Sequence, residues 1–220
     1  MSVLNKFEAR LPAPLRRQFQ SLRSPIDIQR YLDDLRYVGE ERDRCPLDVM
    51  KDGQCHCLDG GLLAALALRH AGEPGLLMDL VPRRDAHGHK LDDDHVLALF
   101  RRNGLWGAVA KSNFAWLRYR EPVYRTLREL AMSFFEVYCS VDRIKALSGY
   151  TRPFDIAACD DWEYAWDEAG ARLLYTKFYA RKEIRLLPTK SEARLEPVDG
   201  LAYDSSFLGV DLDWVYRPKN

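Results

Sequence analysis

An α+β fold, with one central helix set against a small antiparallel sheet, follows from three features of this sequence of 220 residues. The first is a Leu/Ala-rich stretch, 57–70, with Leu62, Leu63, Leu66 and Ala67 at helical spacing and Gly72 to stop it. The second is a set of short apolar runs at 75–81, 95–100 and 105–110, each of strand length. The third is Asn103-Gly104 between the last two runs, the pair that tolerates positive φ at low cost and so closes a tight hairpin.

The elements before the central helix are helical. Pro12-Ala13-Pro14 opens a short helix carrying Leu15, Phe19 and Leu22. Ser24-Pro25-Ile26-Asp27 reads as an N-cap, a proline at N1 and an acidic first turn, and Ile28, Leu32 and Leu35 continue that helix. Residues 39–43 form a charged loop, and 45–50 one helical turn before Gly53. After the hairpin, 111–122 is an aromatic and Arg-rich loop. Val123, Leu127, Leu130, Phe134 and Val137 step by four and three, which predicts a second long helix. Beyond Ser148 the pattern weakens, and 173–187 fits either a strand pair or a helix. The organisation expected is a core over 1–150 and an extension over 151–220 packed on it.

Composition narrows the function. Lys plus Arg and Asp plus Glu are 33 each, so no global field draws in nucleic acid or an anionic membrane. No apolar run reaches the roughly 18 residues of a membrane span, and residues 1–10 lack an apolar export signal. Five cysteines, an odd number with no export signal, read as reduced thiols of a cytoplasmic protein.

The chemistry concentrates at Gln54-Cys55-His56-Cys57, where a turn delivers a cysteine to a helix start. The partial positive charge of a helix N-terminus favours a thiolate there and lowers the cysteine pKa below its free value of about 8.5. A nucleophilic cysteine also needs a base, and His95 at a strand start is the candidate. Three other uses of these residues are open. Cys55, His56, Cys57, His87, His89 and Asp92 to His95 offer zinc ligands, although Cys-x-Cys is tighter than structural zinc spacings. Cys55 is placed to resolve an oxidised Cys57. The run 114–120, Phe-Ala-Trp-Leu-Arg-Tyr-Arg, interleaves aromatic and basic residues and suits a binding groove.

The segment from Cys57 through Leu68-Arg69-His70-Ala71-Gly72-Glu73-Pro74 resembles the transglutaminase-like (papain-like) cysteine family. There a Gly-x-Cys turn opens a helix that runs into Leu-Arg-x-x-Gly-x-Pro. Gly72 lies 15 residues after Cys57, the family spacing, and this register selects Cys57 over Cys55. Asp59 matches a common acidic residue two places on. His95-Val96, the turn, and Trp106 repeat the family's histidine strand and Trp-containing strand. The resemblance covers about 53–113 and implies a papain-like core with a Cys57–His95 pair and no cofactor or metal. It implies acyl transfer at a peptide or protein amide, as a protease, amidase or transglutaminase. The family's imidazole-holding aspartate would fall at position 110, which is Ala110. Asn113 is the preferred substitute, with Ser112 behind it. Gln54 is the candidate oxyanion donor, and Trp106 and Trp116 are candidates to line the groove. The alternatives are a catalytically degenerate relative that holds a peptide or partner protein, and a zinc-binding module.

Overall fold

The computed structural model describes residues 1–218. Four helices lead the chain: α1 (Val3–Arg10), α2 (Ala13–Ser21), α3 (Pro25–Asp34) and α4 (Pro46–Asp52). Ser24 caps α3 through its hydroxyl, which accepts from the Asp27 amide, with Pro25 in the first turn. Gly53 ends α4 in the left-handed region (φ 66°). Strands β1 (Arg36–Tyr37) and β2 (Gln54–Cys55) pair in parallel and bracket α4.

The central helix, α5 (Cys57–His70), is buried on nearly every side from Cys57 to Leu68. A helix apolar all round belongs inside a domain. Its two glycines permit the approach. A Cβ at Gly61 would lie 2.8 Å from Val96 Cγ1, and one at Gly60 2.7 Å from Lys111 Cβ.

The main sheet is antiparallel, ordered β6-β5-β4-β3-β7-β9, with β8 on β3. Its strands are β3 (Leu76–Pro82), β4 (His95–Arg102), β5 (Leu105–Val109), β6 (Arg120–Tyr124), β7 (Leu147–Thr151), β8 (Phe154–Asp155) and β9 (Glu183–Arg185). Asn103 (φ 51°) and Gly104 (φ 82°) close the β4–β5 hairpin as expected. Along β4, Val96, Ala98 and Phe100 join the core on the α5 side. Leu97 and Leu99 join a second core on the other face. Both faces are covered, which is why β4 is buried over its whole apolar length.

Two expectations change. The predicted long helix over 123–137 is instead strand β6, then the short α6 (Leu127–Met132), then turns. Pro122 and the β-branched Val123 sit in an edge strand, and Thr126 caps a new helix start by accepting from the Glu129 amide. The four-and-three spacing survives because Leu130 and Phe134 still bury on the sheet. The ambiguous 173–187 stretch divides into α7 (Glu168–Tyr179) and β9. Ala171, Leu174 and Phe178 of α7 belong to the α5-side core, and the Tyr175 hydroxyl donates to Arg44 O at 2.9 Å. Strand β7 runs across position 150, so the same sheet continues into the extension. Two small helices, α8 (Thr189–Glu192) and α9 (Gly200–Ser206), follow.

α3 is locked to the end of β5. The buried Gln29 amide accepts from Ala110 N and donates to Ala110 O, both at 3.0 Å. The Lys111 ammonium donates to the Leu32 and Leu35 carbonyls at the end of α3. Gln29→Leu strands both backbone groups of Ala110. The expected cost is roughly 1–3 kcal/mol per unpaired group, read as a lower urea midpoint. An unchanged midpoint would show that Ala110 is held by other contacts.

Candidate active site

The start of α5 and the start of β4 meet. Cys57 and His95 line one cavity of about 250 Å³ together with Tyr37, Tyr138 and Trp214. Cys57 also lines a second, more open lobe of about 920 Å³. The thiol is 7% exposed, and its hydrogen bond goes to the Asp94 carbonyl at 3.5 Å.

His95 is buried between two aromatic edges, with ring centroids 6.3 Å from Phe134 and 6.5 Å from Tyr138. Its Nε2 lies 2.6 Å from the Leu117 carbonyl oxygen. A carbonyl only accepts, so Nε2 carries the proton and Nδ1 keeps the lone pair. A backbone carbonyl thus holds one ring nitrogen of His95, the place a carboxylate or amide side chain takes in catalytic triads. Its position is built locally. The 3₁₀ turn Ala115–Leu117 is closed by Leu117 N on Phe114 O. Arg120 then ties it down, donating to the Trp116 and Tyr119 carbonyls and to Ser133, with its guanidinium 3.8 Å over the Phe134 ring.

The orienting role expected of Asn113 and Ser112 therefore falls to Leu117. Asn113 pairs twice with Asp211, its amide nitrogen donating to the carbonyl (2.8 Å) and its oxygen accepting from the amide (3.0 Å). Ser112 accepts from Phe114 N. Sequence reading overlooked Leu117 because a main-chain acceptor has no residue type to betray it. The run 114–120 was legible, but as a groove rather than as the turn that holds the histidine.

The other candidates lie outside the two lobes. Trp116 is 53% exposed. Trp106 lies under Arg101, whose guanidinium is 5.0 Å from the ring. Gln54 is half-buried in β2 and lines neither lobe. At the helix start, Leu58 N–H donates to the capping His56 Nδ1 at 3.2 Å.

Burial sets the resting charges. It pushes the Cys57 thiol well above its usual range, helped by Asp93. This overrides the helix-terminus effect expected from the sequence. Burial likewise holds His95 down to about 4, against the raising effect of its Leu117 bond and with Arg120 adding to the lowering. The pair rests as neutral thiol and neutral imidazole. Cys55, buried beneath the helix start, is pushed up to about 12.

The metal alternative can be placed as well. Among the described residues, the ligand atoms that converge within 4.8 Å belong to Asp43, His56 and Asp59, with neither Cys55 nor Cys57. His56 Nδ1 is taken by the helix cap, and its Nε2 faces Asp59 Oδ1 at 3.4 Å. Asp59 in turn accepts from Arg44 N at 3.0 Å. His56 and Asp59 are thus engaged at the start of α5.

The C-terminal segment reaches the same cavity. Asp213, Trp214, Val215 and Tyr216 line it together with Cys57 and His95. Asn113 holds one end through Asp211, and the Tyr216 hydroxyl donates to Lys90 O at 3.4 Å at the other. Gly39 packs against Trp214, where an added Cβ would meet the indole at an ordinary contact distance of 3.5 Å.

No family model and no curated protein matches the chain. Among solved structures, Legionella pneumophila LapG aligns at 12% identity over 54% of this chain and 76% of its own, with a TM-score of 0.37. The EGTA-treated form of the same protein aligns at 11% identity over 74% of this chain and 96% of its own, with a TM-score of 0.41. The helices and antiparallel sheet make the chain α+β. No helix among the described residues is long and apolar enough to cross a membrane.

Proposed function

We propose that the chain is a transglutaminase-like cysteine acyl-transfer enzyme acting on a peptide or protein amide through Cys57 and His95. The observation that carries this reading is the shared cavity, in which a helix-terminal thiol faces the same space as an imidazole whose Nε2–H is tied off by Leu117 O. That bond leaves Nδ1 as the base. As the thiol sulfur attacks the substrate carbonyl, its proton passes to Nδ1, so the pair need not be ionised beforehand. Collapse of the tetrahedral adduct breaks the C–N bond. The departing amine takes the proton from His95 and leaves a thioester on Cys57. Water or a second amine then releases the acyl group, with His95 accepting the nucleophile's proton and returning it to the sulfur. No cofactor enters these steps.

One observation favours a second reading, a catalytically degenerate relative that holds a peptide or partner protein. The thiol bonds the Asp94 carbonyl, and burial keeps it protonated. The two readings separate on thiol reactivity.

At pH 7, Cys57 in the intact chain is expected to react with iodoacetamide at least tenfold more slowly than free cysteine. The rate should climb with pH through and beyond the usual thiol range, because the folded thiol pKa is raised. Trp214→Ala, which opens the cavity, is expected to accelerate labelling several-fold. In that background a peptidyl vinyl sulfone should modify Cys57, and His95→Ala should slow this at least tenfold. Equal modification with and without His95 would reject the enzyme reading, and peptide binding with no modification would establish the second.

The charge state of His95 is directly measurable. Its ring should remain the neutral Nε2–H tautomer down to about pH 4 in long-range ¹H–¹⁵N spectra, following its lowered pKa. Unfolded chains protonate this ring near 6.5. Stability contributed by the neutral ring is therefore complete above that pH and declines as pH falls from 6.5 toward 4. A ring that titrates at 6.5 in the folded protein would contradict the buried, Leu117-bound geometry.

A further inference from the structure

The more open lobe beside Cys57 has a different chemistry from the cavity that holds His95. Carboxylates dominate its polar lining, among them Asp43, Asp79, Asp94 and Glu183, and Tyr37, Tyr179 and Tyr216 supply aromatic rings. Its Lys and Arg side chains have hydrogen-bond partners of their own, and among the described residues only Lys90 is paired with a carboxylate. Lys90 bonds Asp94, Arg84 donates to Gly88 O, and Arg181 donates to the Arg152 and Pro153 carbonyls. Glu183 accepts from Ser148 at 2.7 Å. Asp79 is different. It is 4% exposed, it lines this lobe from β3, and its Oδ1 has no hydrogen-bond partner among the described residues. Burial, then the neighbouring Asp94, pushes its carboxyl well above the usual range against the lowering effect of Lys90, so it rests protonated and a bound cation would favour its ionised form. A buried carboxyl without a partner costs free energy that a fitting donor would recover.

We propose that this lobe is the subsite for an organic cation, a primary ammonium or guanidinium on an aliphatic stem, anchored by Asp79. The lining suits such a group, because carboxylate and tyrosine faces together attract an ammonium or guanidinium head while the rings cover its stem. A single metal ion suits it less. The ligand atoms that converge within 4.8 Å among the described residues are those of Asp43, His56 and Asp59, and Asp79 is not one of them. As the specificity subsite of the Cys57 centre this inference rests on the function proposed above, so its test measures binding and requires no turnover.

The test is isothermal titration of the full chain with Nα-acetyl-lysine methylamide, Nα-acetyl-arginine methylamide and n-butylamine, against the uncharged isostere Nα-acetyl-norleucine methylamide. The charged amino-acid derivatives are expected to bind at least tenfold more tightly than the norleucine compound. Asp79→Asn should remove that preference, while the exposed control Glu136→Gln keeps it. Because Oδ1 has no partner to lose, Asp79→Asn should melt at or above the wild-type temperature, which certifies the variant as folded. Butylamine binding as tightly as the lysine derivative identifies the occupant as a free amine, and weaker butylamine binding identifies it as a peptide side chain. Either result supports the cation subsite. Equal affinity for lysine and norleucine derivatives would overturn it, as would a preference that survives in Asp79→Asn, or calcium binding that depends on Asp79 and displaces the amines. A charge preference with an inert Cys57 would leave the subsite standing and reject only the catalytic reading.

Discussion

The close approach of α5 to β4 is the contact on which the remainder of the site depends. Gly61 lies one helical turn after Cys57, and Val96 directly follows His95. With 2.8 Å between a virtual Gly61 Cβ and Val96 Cγ1, only glycine lets the helix settle at this depth. That single contact fixes the height of the cysteine against the histidine. Gly60 does the same against Lys111, whose ammonium ties α3 to the end of β5. The helix, the histidine strand and the N-terminal helices are thus held in one register by two residues without side chains.

Depth has an electrostatic consequence. A helix start in solvent would favour a thiolate by its dipole, an effect of about 0.3–1 kcal/mol at exposed termini. Here the same terminus is buried beneath the loop 92–94 and the C-terminal segment, and desolvation outweighs the dipole. The carboxylates around the cysteine act in the same direction. A neutral pair, an acidic neighbouring lobe and a tryptophan in the cavity wall form one consistent picture, in which the residues are brought together while their charges stay unexpressed.

Much of this was legible in the residues, and the failures have physical causes. α5 spans the predicted 57–70 because it combines continuous apolar character with a glycine stop. The β4–β5 hairpin follows from Asn103-Gly104, whose backbone preference is local. The long helix expected over 123–137 failed because four-and-three spacing is also met by an edge strand, a capped short helix and turns that all bury onto one surface. Thr126 carried the cap signal that would have divided it. Residues 173–187 were ambiguous because a helix and a strand meet there, joined by a turn.

By itself the sequence determined the central helix, the hairpin and the positions of a candidate nucleophile and a candidate base on them, since caps, periodicity and turn preferences act between residues close in the chain. Only the tertiary structure decided what orients His95, which charges the pair holds and what surrounds Cys57. Ala110 vacates the position where an aspartate was expected, and its backbone groups bind Gln29 instead. The acceptor for His95 is a main-chain carbonyl, which every residue possesses and no residue type announces. The acidic lobe collects side chains from loops and strands as far apart as Asp43 and Glu183. Burial and long-range charge are properties of that assembly, and they exist only once the chain has folded.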